Sequence, residues 1–327
     1  METLLVLKQQ LMRLYTRFEA FIVPILKFFA MLFAMIFING SIGEMDKLKN
    51  PAIVLILSLL CSFLPTNVIV LVAGLVIVAH VYAISLECAV VVLFVFIIMY
   101  ALYFRFTPKD AIAVLLTPVA FAMKIPYVIP ISMGFVGNPL SAISVGCGTV
   151  VYYVLHYVSE NKASLSSSSA ASGGGLDAES ALSGFKTVID GLLKNDTMVA
   201  MIITFAVTIV VVYCIRRLKI NYSWQIALGT GSVVCLVTAM VTNSVLDADI
   251  SIGGAIIGII VAILICTILT FFIFNVDYSR AEYVQFEDDE YYYYVKAVPK
   301  ITMETRNVRT RRNVRDNDYD DEDEEDY

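Results

Sequence analysis

Residues 252–274 read IGGAIIGIIVAILICTILTFFIF, and residues 198–215 read MVAMIITFAVTIVVVYCI; neither stretch holds a charge. A bilayer core of about 30 Å is crossed by about 20 apolar residues in an α-helix. Only a closed helix or barrel satisfies its own backbone at that depth. These two stretches therefore predict membrane-spanning helices, and further apolar runs recur back to about residue 21. Apolar residues make up 59% of the 327-residue chain and charged residues 16%, against about 45–50% and about 25% in ordinary globular domains. The expected fold is all-α and polytopic, with eight to ten membrane segments in a cell membrane.

Residues 1–20 pattern as an amphipathic interfacial helix. Leu4, Leu7, Leu11, Leu14 and Phe18 share one face, with Lys8, Arg13 and Arg17 on the other, as in helices that lie among lipid headgroups. It lacks the short apolar core and small-residue cleavage site of a secretion signal. Residues 21–158 form an N-terminal transmembrane bundle. Its first span, Phe21 to Asn39, carries Pro24 in its opening turn, where proline costs little, and Lys27, whose ammonium can extend to the interface. Residues 159–196 read as an extracytoplasmic Ser/Gly-rich linker with a short amphipathic helix, and 197–275 as a three-helix unit. Residues 276–327 form a polar tail.

Two segments of the N-terminal bundle, near 52–67 and 111–136, are apolar but short and broken by proline. Val54 to Pro65 and Val114 to Pro126 each close on a proline, with Gly74 and Gly134 following at similar distances. Thirteen helical residues reach about 20 Å, short of a crossing. Paired interrupted segments point to the substrate site in secondary transporters. Pro65, Asn67, Lys124 and Pro126 thus become candidates for a translocation site. His80, Glu87 and His156 join them as ionisable groups within or beside apolar runs. The blander alternatives are kinked short helices and a His80/Glu87 or Glu87/Lys124 pair that holds helices together.

Orientation follows from the basic residues, which favour cytoplasmic loops. Arg216, Arg217 and Lys219 precede the span that ends before Asp247 and Asp249, which places the C-terminus in the cytoplasm. The basic residues Lys8, Arg13, Arg17, Arg105 and Lys109 place the N-terminus there too. In the tail, residues 282–287 and 290–298 flank Asp288-Asp289 and predict a tyrosine-rich hairpin. Such a hairpin is marginal alone, so Tyr283, Phe286, Tyr291, Tyr292, Tyr293 and Tyr294 are candidates for docking a protein partner. Beyond it, a cluster of arginines meets a run in which nine of the last twelve residues are carboxylates. That pattern reads as disordered and argues against nucleic acid as a partner.

Gly254 and Gly258 form a GxxxG motif suited to close helix packing; Gly229-Thr-Gly231 and Gly146-Cys-Gly148 take the same reading. The six cysteines are scattered and read as small buried hydrophobes. No metal-ligand spacing, catalytic motif or phosphate-binding loop is present, so no cofactor and no enzymatic activity is expected. The chain reads as a permease-like subunit of a transport or export system, pumping only with a separate ATPase or an ion gradient, alone or as an oligomer. The alternative is a membrane scaffold or assembly factor that recruits partners through its tail. An intramembrane enzyme ranks third.

Overall fold

The computed structural model describes residues 2–163, 165, 186, 189–191, 194–218, 222–274, 282–287 and 292–297. Among the described residues, eleven α-helices run in order: α1 (Glu2–Ser41), α2 (Asp46–Lys49), α3 (Pro51–Ser62), α4 (Thr66–Ile84), α5 (Leu86–Phe106), α6 (Ala111–Ala122), α7 (Val128–Val136), α8 (Ser141–Glu160), α9 (Asp196–Arg216), α10 (Ser223–Val245) and α11 (Ile252–Phe274). Seven of them are long and apolar enough to cross a bilayer: α1 from Arg13, α4, α5, α8, α9, α10 and α11. Three more, α3, α6 and α7, are apolar but only 9–12 residues long. The protein is a helical, membrane-embedded one.

Helix starts follow side-chain chemistry. Asn50 caps α3 through its Oδ1 on the Ala52 N–H (3.0 Å), with Pro51 at the first helical position. Asn195 caps α9 in the same way on Met198 (2.9 Å). Each satisfies an orphan donor of the first turn.

Packing reverses the usual size order. On α11 the large residues Ile257, Leu264 and Ile268 are at least 60% exposed, while Ala255, Gly258, Ala262 and Cys266 are buried. Lipid tails solvate leucine as well as a core does, so contact is made by small residues that let backbones approach. Val212 of α9 shows how tight this becomes. A Cβ on Gly134 of α7 would lie 2.6 Å from the Val212 Cβ, and a Cβ on Gly231 of α10 would meet the same side chain. Buried hydroxyls add a second kind of contact. Thr204 and Thr242 meet across α9 and α10 at 3.2 Å, and Thr204 also returns a bond to the Ala200 carbonyl.

The buried side chains form two large clusters. One is built by α1, α3, α4 and α5, the other by α7, α9, α10 and α11; α6 and α8 contribute to both. The short helix α7 touches α6, α8, α9, α10 and α11, which places it at the centre of the second cluster. The Lys8 ammonium donates to the Phe271 carbonyl (3.1 Å), so the start of α1 and the end of α11 lie at one end of the bundle. A second compact unit, residues 1–6 and 276–327, contains the antiparallel strands β1 (Glu282–Glu287) and β2 (Tyr292–Ala297), with Val284 opposite Val295.

Several expectations need amending. A kink at Phe18 (φ −116°, ψ 20°) divides α1 into an N-terminal helix and the first span, and Pro24 lies six residues past the kink, beyond the opening turn. Lys27 donates to the Leu64 carbonyl (3.1 Å), an orphan acceptor just beyond α3. In the GxxxG motif, Gly258 packs, since a Cβ there would lie 2.8 Å from the Tyr127 ring. Gly254 is exposed, and a Cβ there would meet only Ser251 of its own turn. The working stripe is Gly258, Ala262 and Cys266. The Ser/Gly linker and most of the amphipathic stretch after it lie outside the described residues.

Val212 supplies a controlled test within one helix. Gly231→Leu is expected to destabilise by about 1–3 kcal/mol through overpacking. Gly229→Leu, where a Cβ meets nothing within 4 Å, should be neutral or stabilise by up to about 1 kcal/mol from helix propensity. Thermal unfolding in detergent distinguishes the two.

Candidate functional site

The helices α6 and α7 form a hairpin whose two ends are tied together. Ser141, at the start of α8, donates from its Oγ to Asp110 Oδ2 (2.6 Å) and accepts from the Asn138 N–H (3.0 Å). Asp110 immediately precedes α6, and Asn138 closely follows α7. Around this tie, the Thr107 and Ser144 hydroxyls meet at 2.6 Å, and the Tyr103 hydroxyl donates to Asn67 Oδ1. These buried and half-buried polar groups join the ends of α4, α5, α6 and α8 at one level.

The helix α6 is buried along most of its length, including Pro118. Proline supplies no N–H, so the Val114 carbonyl loses its helical partner. Gly148 of α8 lies against that group; a Cβ there would be 2.9 Å from the Val114 oxygen and 2.6 Å from Thr117 Cβ. At its far end α6 closes in a Schellman arrangement. The Ile125 N–H reaches the Ala120 carbonyl (2.9 Å) and the Lys124 N–H the Phe121 carbonyl (3.0 Å), with Lys124 at φ +60°. Glycine normally takes that left-handed position. Pro126 then turns the chain into α7, and the buried Tyr127 ring meets Phe205 edge-on at 6.1 Å.

Two cavities flank this hairpin. One, of about 390 Å³, is lined by Phe37, Gly40 and Ser41 of α1, by Phe121, Ala122 and Lys124, and by Tyr152, His156 and Ser159 of α8. Tyr152 stacks on Phe121 (4.4 Å between centroids) and on His156 (5.9 Å). The second, of about 360 Å³, is lined by apolar side chains of α1, α4, α5, α6 and α8, among them Phe37, Gly74, Phe96, Val114, Pro118 and Val151. Phe37 borders both.

The structure brings some predicted residues together and separates others. Lys124, Pro126 and His156 share the Lys124 end of the hairpin, where Lys124 and His156 line one cavity. Asn67 belongs to the Asp110 end, next to the exposed Pro65. The expected site between the breaks at Pro65–Asn67 and at Lys124–Pro126 is therefore not one place. The two short segments also differ in setting: α6 is central, whereas α3 leaves most of its residues exposed.

His80 is fully buried and accepts the Met45 N–H on Nδ1 (3.2 Å), which holds the turn after α1. Glu44 in that turn pairs with Lys162 at 3.0 Å, and Ser159 donates to the Ser41 carbonyl. Glu87 sits in the first turn of α5, where a carboxylate suits the helix dipole. His156 Nε2 lies 3.1 Å from Glu160. Neither a His80/Glu87 nor a Glu87/Lys124 pair forms, and among the described residues the exposed Lys124 ammonium has no hydrogen bond or ion pair. Also among the described residues, no group of His, Cys, Asp and Glu side chains fits a metal ion.

In the hairpin β1–β2, Tyr283 pairs with Lys296, Phe286 with Tyr293, Gln285 with Tyr294 and Glu287 with Tyr292; Tyr291 lies outside the described residues. Reading the sequence missed the Phe37–Tyr152–Phe121 wall, whose only trace was an aromatic pair, Tyr152-Tyr153, in a span otherwise rich in small residues. Comparison with protein-family models, curated proteins and solved structures gave no match.

The left-handed backbone at Lys124 separates conformation from charge. Lys124→Gly should raise stability by about 1 kcal/mol, because it removes the Cβ clash of that conformation. Lys124→Val should lower it by at least as much, since branching at Cβ stiffens the residue further. Chemical denaturation in detergent, followed by circular dichroism, reads both.

Proposed function

We propose that this protein is a permease-like subunit of a membrane transport or export system, with its working centre at the α6–α7 break. The observation that carries the reading is a buried helix, α6, that turns back into α7 within the bundle, with the exposed turn at Lys124 bordering a cavity. Interrupted helices of this kind supply binding groups in transporters, because irregular backbone at membrane depth is tolerated only against protein or a wet cavity. The hairpin is taken to enter and leave by one face of the membrane. The C-terminus is taken as cytoplasmic on the charge asymmetry around α10, and the N-terminus with it, since Lys8 meets the end of α11. Energy comes from a separate ATPase or an ion gradient.

A second reading, a scaffold that recruits through its tail, draws on the hairpin β1–β2. A two-stranded sheet is marginal in water, and both its edges offer backbone groups to a partner strand.

Sidedness of access discriminates between these readings without knowledge of the substrate. A single cysteine at Ala122, in a background with the six native cysteines replaced, is treated with an impermeant maleimide. The reagent is applied to intact cells and to inverted vesicles. A transport centre labels from both sides as it alternates; a scaffold labels from one side in every condition. Deleting residues 276–327 should leave two-sided labelling in place if the bundle is the working part. Loss of labelling from one side on deletion would instead favour recruitment through the tail.

A further inference from the structure

The two cavities beside α6 are neighbours: both are lined by α1, α6 and α8, and Phe37 lines each of them. On α1 the lining passes from Ala34 and Phe37 to Gly40 and Ser41. On α6 it passes from Val114 and Pro118 to Ala122 and Lys124, and on α8 from Val151 to His156 and Ser159. The deeper chamber is apolar on every wall. Its rim residues Leu71 and Leu75 of α4 and Leu93 and Ile97 of α5 are exposed on the outer surface of the bundle, so it meets hydrocarbon between those helices. The second chamber is polar and lies toward the helix ends. Phe37 contributes to the wall of both.

Each chamber lacks something that a ligand would supply. An apolar groove of about 360 Å³ that opens to hydrocarbon gains dispersion contacts when an acyl chain fills it and takes up no water. In the polar chamber, His156 has Glu160 at 3.1 Å, while the exposed Lys124 meets no anion among the described residues and is free to meet one. The last carbonyls of α6 are already occupied by the cap N–H groups. Gly74 adds to the room: a Cβ there meets only the Phe96 ring, at 3.5 Å.

We infer that the two chambers are one binding site for an anionic lipid, with an acyl chain between α4, α5 and α6 and the charged head at Lys124. The inference names the substrate class of the transport centre and rests on that reading. A water-soluble anion would leave the apolar chamber unfilled, and a neutral hydrocarbon would leave Lys124 unmatched. A lipid enters sideways past Leu71 and Ile97 without leaving the bilayer. Its head arrives at the level where α6 ends.

Photo-crosslinking tests the site. The full chain is reconstituted in phosphatidylcholine nanodiscs with a trace of phosphatidylglycerol or phosphatidylcholine carrying a diazirine on its acyl chain. Cross-links are then mapped by mass spectrometry. The expected result is adducts on α4, α5 and α6 residues of the apolar chamber, with phosphatidylglycerol favoured about fivefold, the effect of one lysine on an anionic lipid. Lys124→Met should abolish that preference and Lys124→Arg should keep it. Ala101→Phe, at an exposed position on the chamber wall, should remove the adducts while the melting profile stays that of the parent. Equal capture of both lipids, or adducts spread evenly over the outward residues Ile257 and Leu264 of α11, would overturn the lipid site. The transport reading fails separately: if the Ala122 cysteine labels from one side while the anionic lipid is captured, transport falls and the lipid is no substrate.

Discussion

Hydrocarbon does not reward burial of a large apolar side chain, and the packing of α11 follows from that fact. In water, leucine and isoleucine would crowd inward; here Ile257, Leu264 and Ile268 face out, and Ala255, Gly258 and Ala262 face in. Cohesion comes instead from close backbone approach and from hydroxyls paired where no water competes. Val212 wedged toward both Gly134 and Gly231 is the tightest example. The Thr204–Thr242 contact between α9 and α10 is the polar counterpart.

The same constraint explains how a broken helix is tolerated at the centre. Every backbone group freed in hydrocarbon costs several kcal/mol, roughly, unless it finds a partner. At the α6–α7 break the partners are local: the cap closes the end of α6, the Val128 and Ile129 N–H groups reach the Ile125 and Pro126 carbonyls at 3.3 Å, and the Cys266 thiol reaches the Val128 carbonyl. At the other end Ser141 ties Asp110 to the chain after α7. The hairpin is thus satisfied within itself and against α8 and α11. The cost that remains is concentrated at Lys124, a lysine in a conformation suited to glycine.

The long spans were legible in the sequence because nothing but a membrane helix suits twenty uncharged apolar residues. The interruption was legible too, since Lys124-Ile-Pro126 divides 111–136 into two pieces that are each too short to cross. The partner of each interrupted segment was not. Proline position and length made 52–67 and 111–136 look equivalent, yet α3 is peripheral and α6 central, a distinction set by long-range packing that periodicity does not encode. The partner of the buried His80 was also not legible: its Nδ1 accepts a backbone N–H thirty-five residues away, while its Nε2 is buried with no partner among the described residues. The GxxxG motif pointed to the right helix and one right residue, Gly258, while the face it packs with continues through Ala262 and Cys266.

The central claim is that α6 and α7 go in and come back, with Asp110 and Asn138 on one side of the membrane. Single cysteines at Lys109 and at Asn138, probed with an impermeant reagent from each side in turn, test it directly. The hairpin account predicts that both positions react from the same side and neither from the other. Reaction of Lys109→Cys from one side and Asn138→Cys from the opposite side would make the segment a crossing and contradict it.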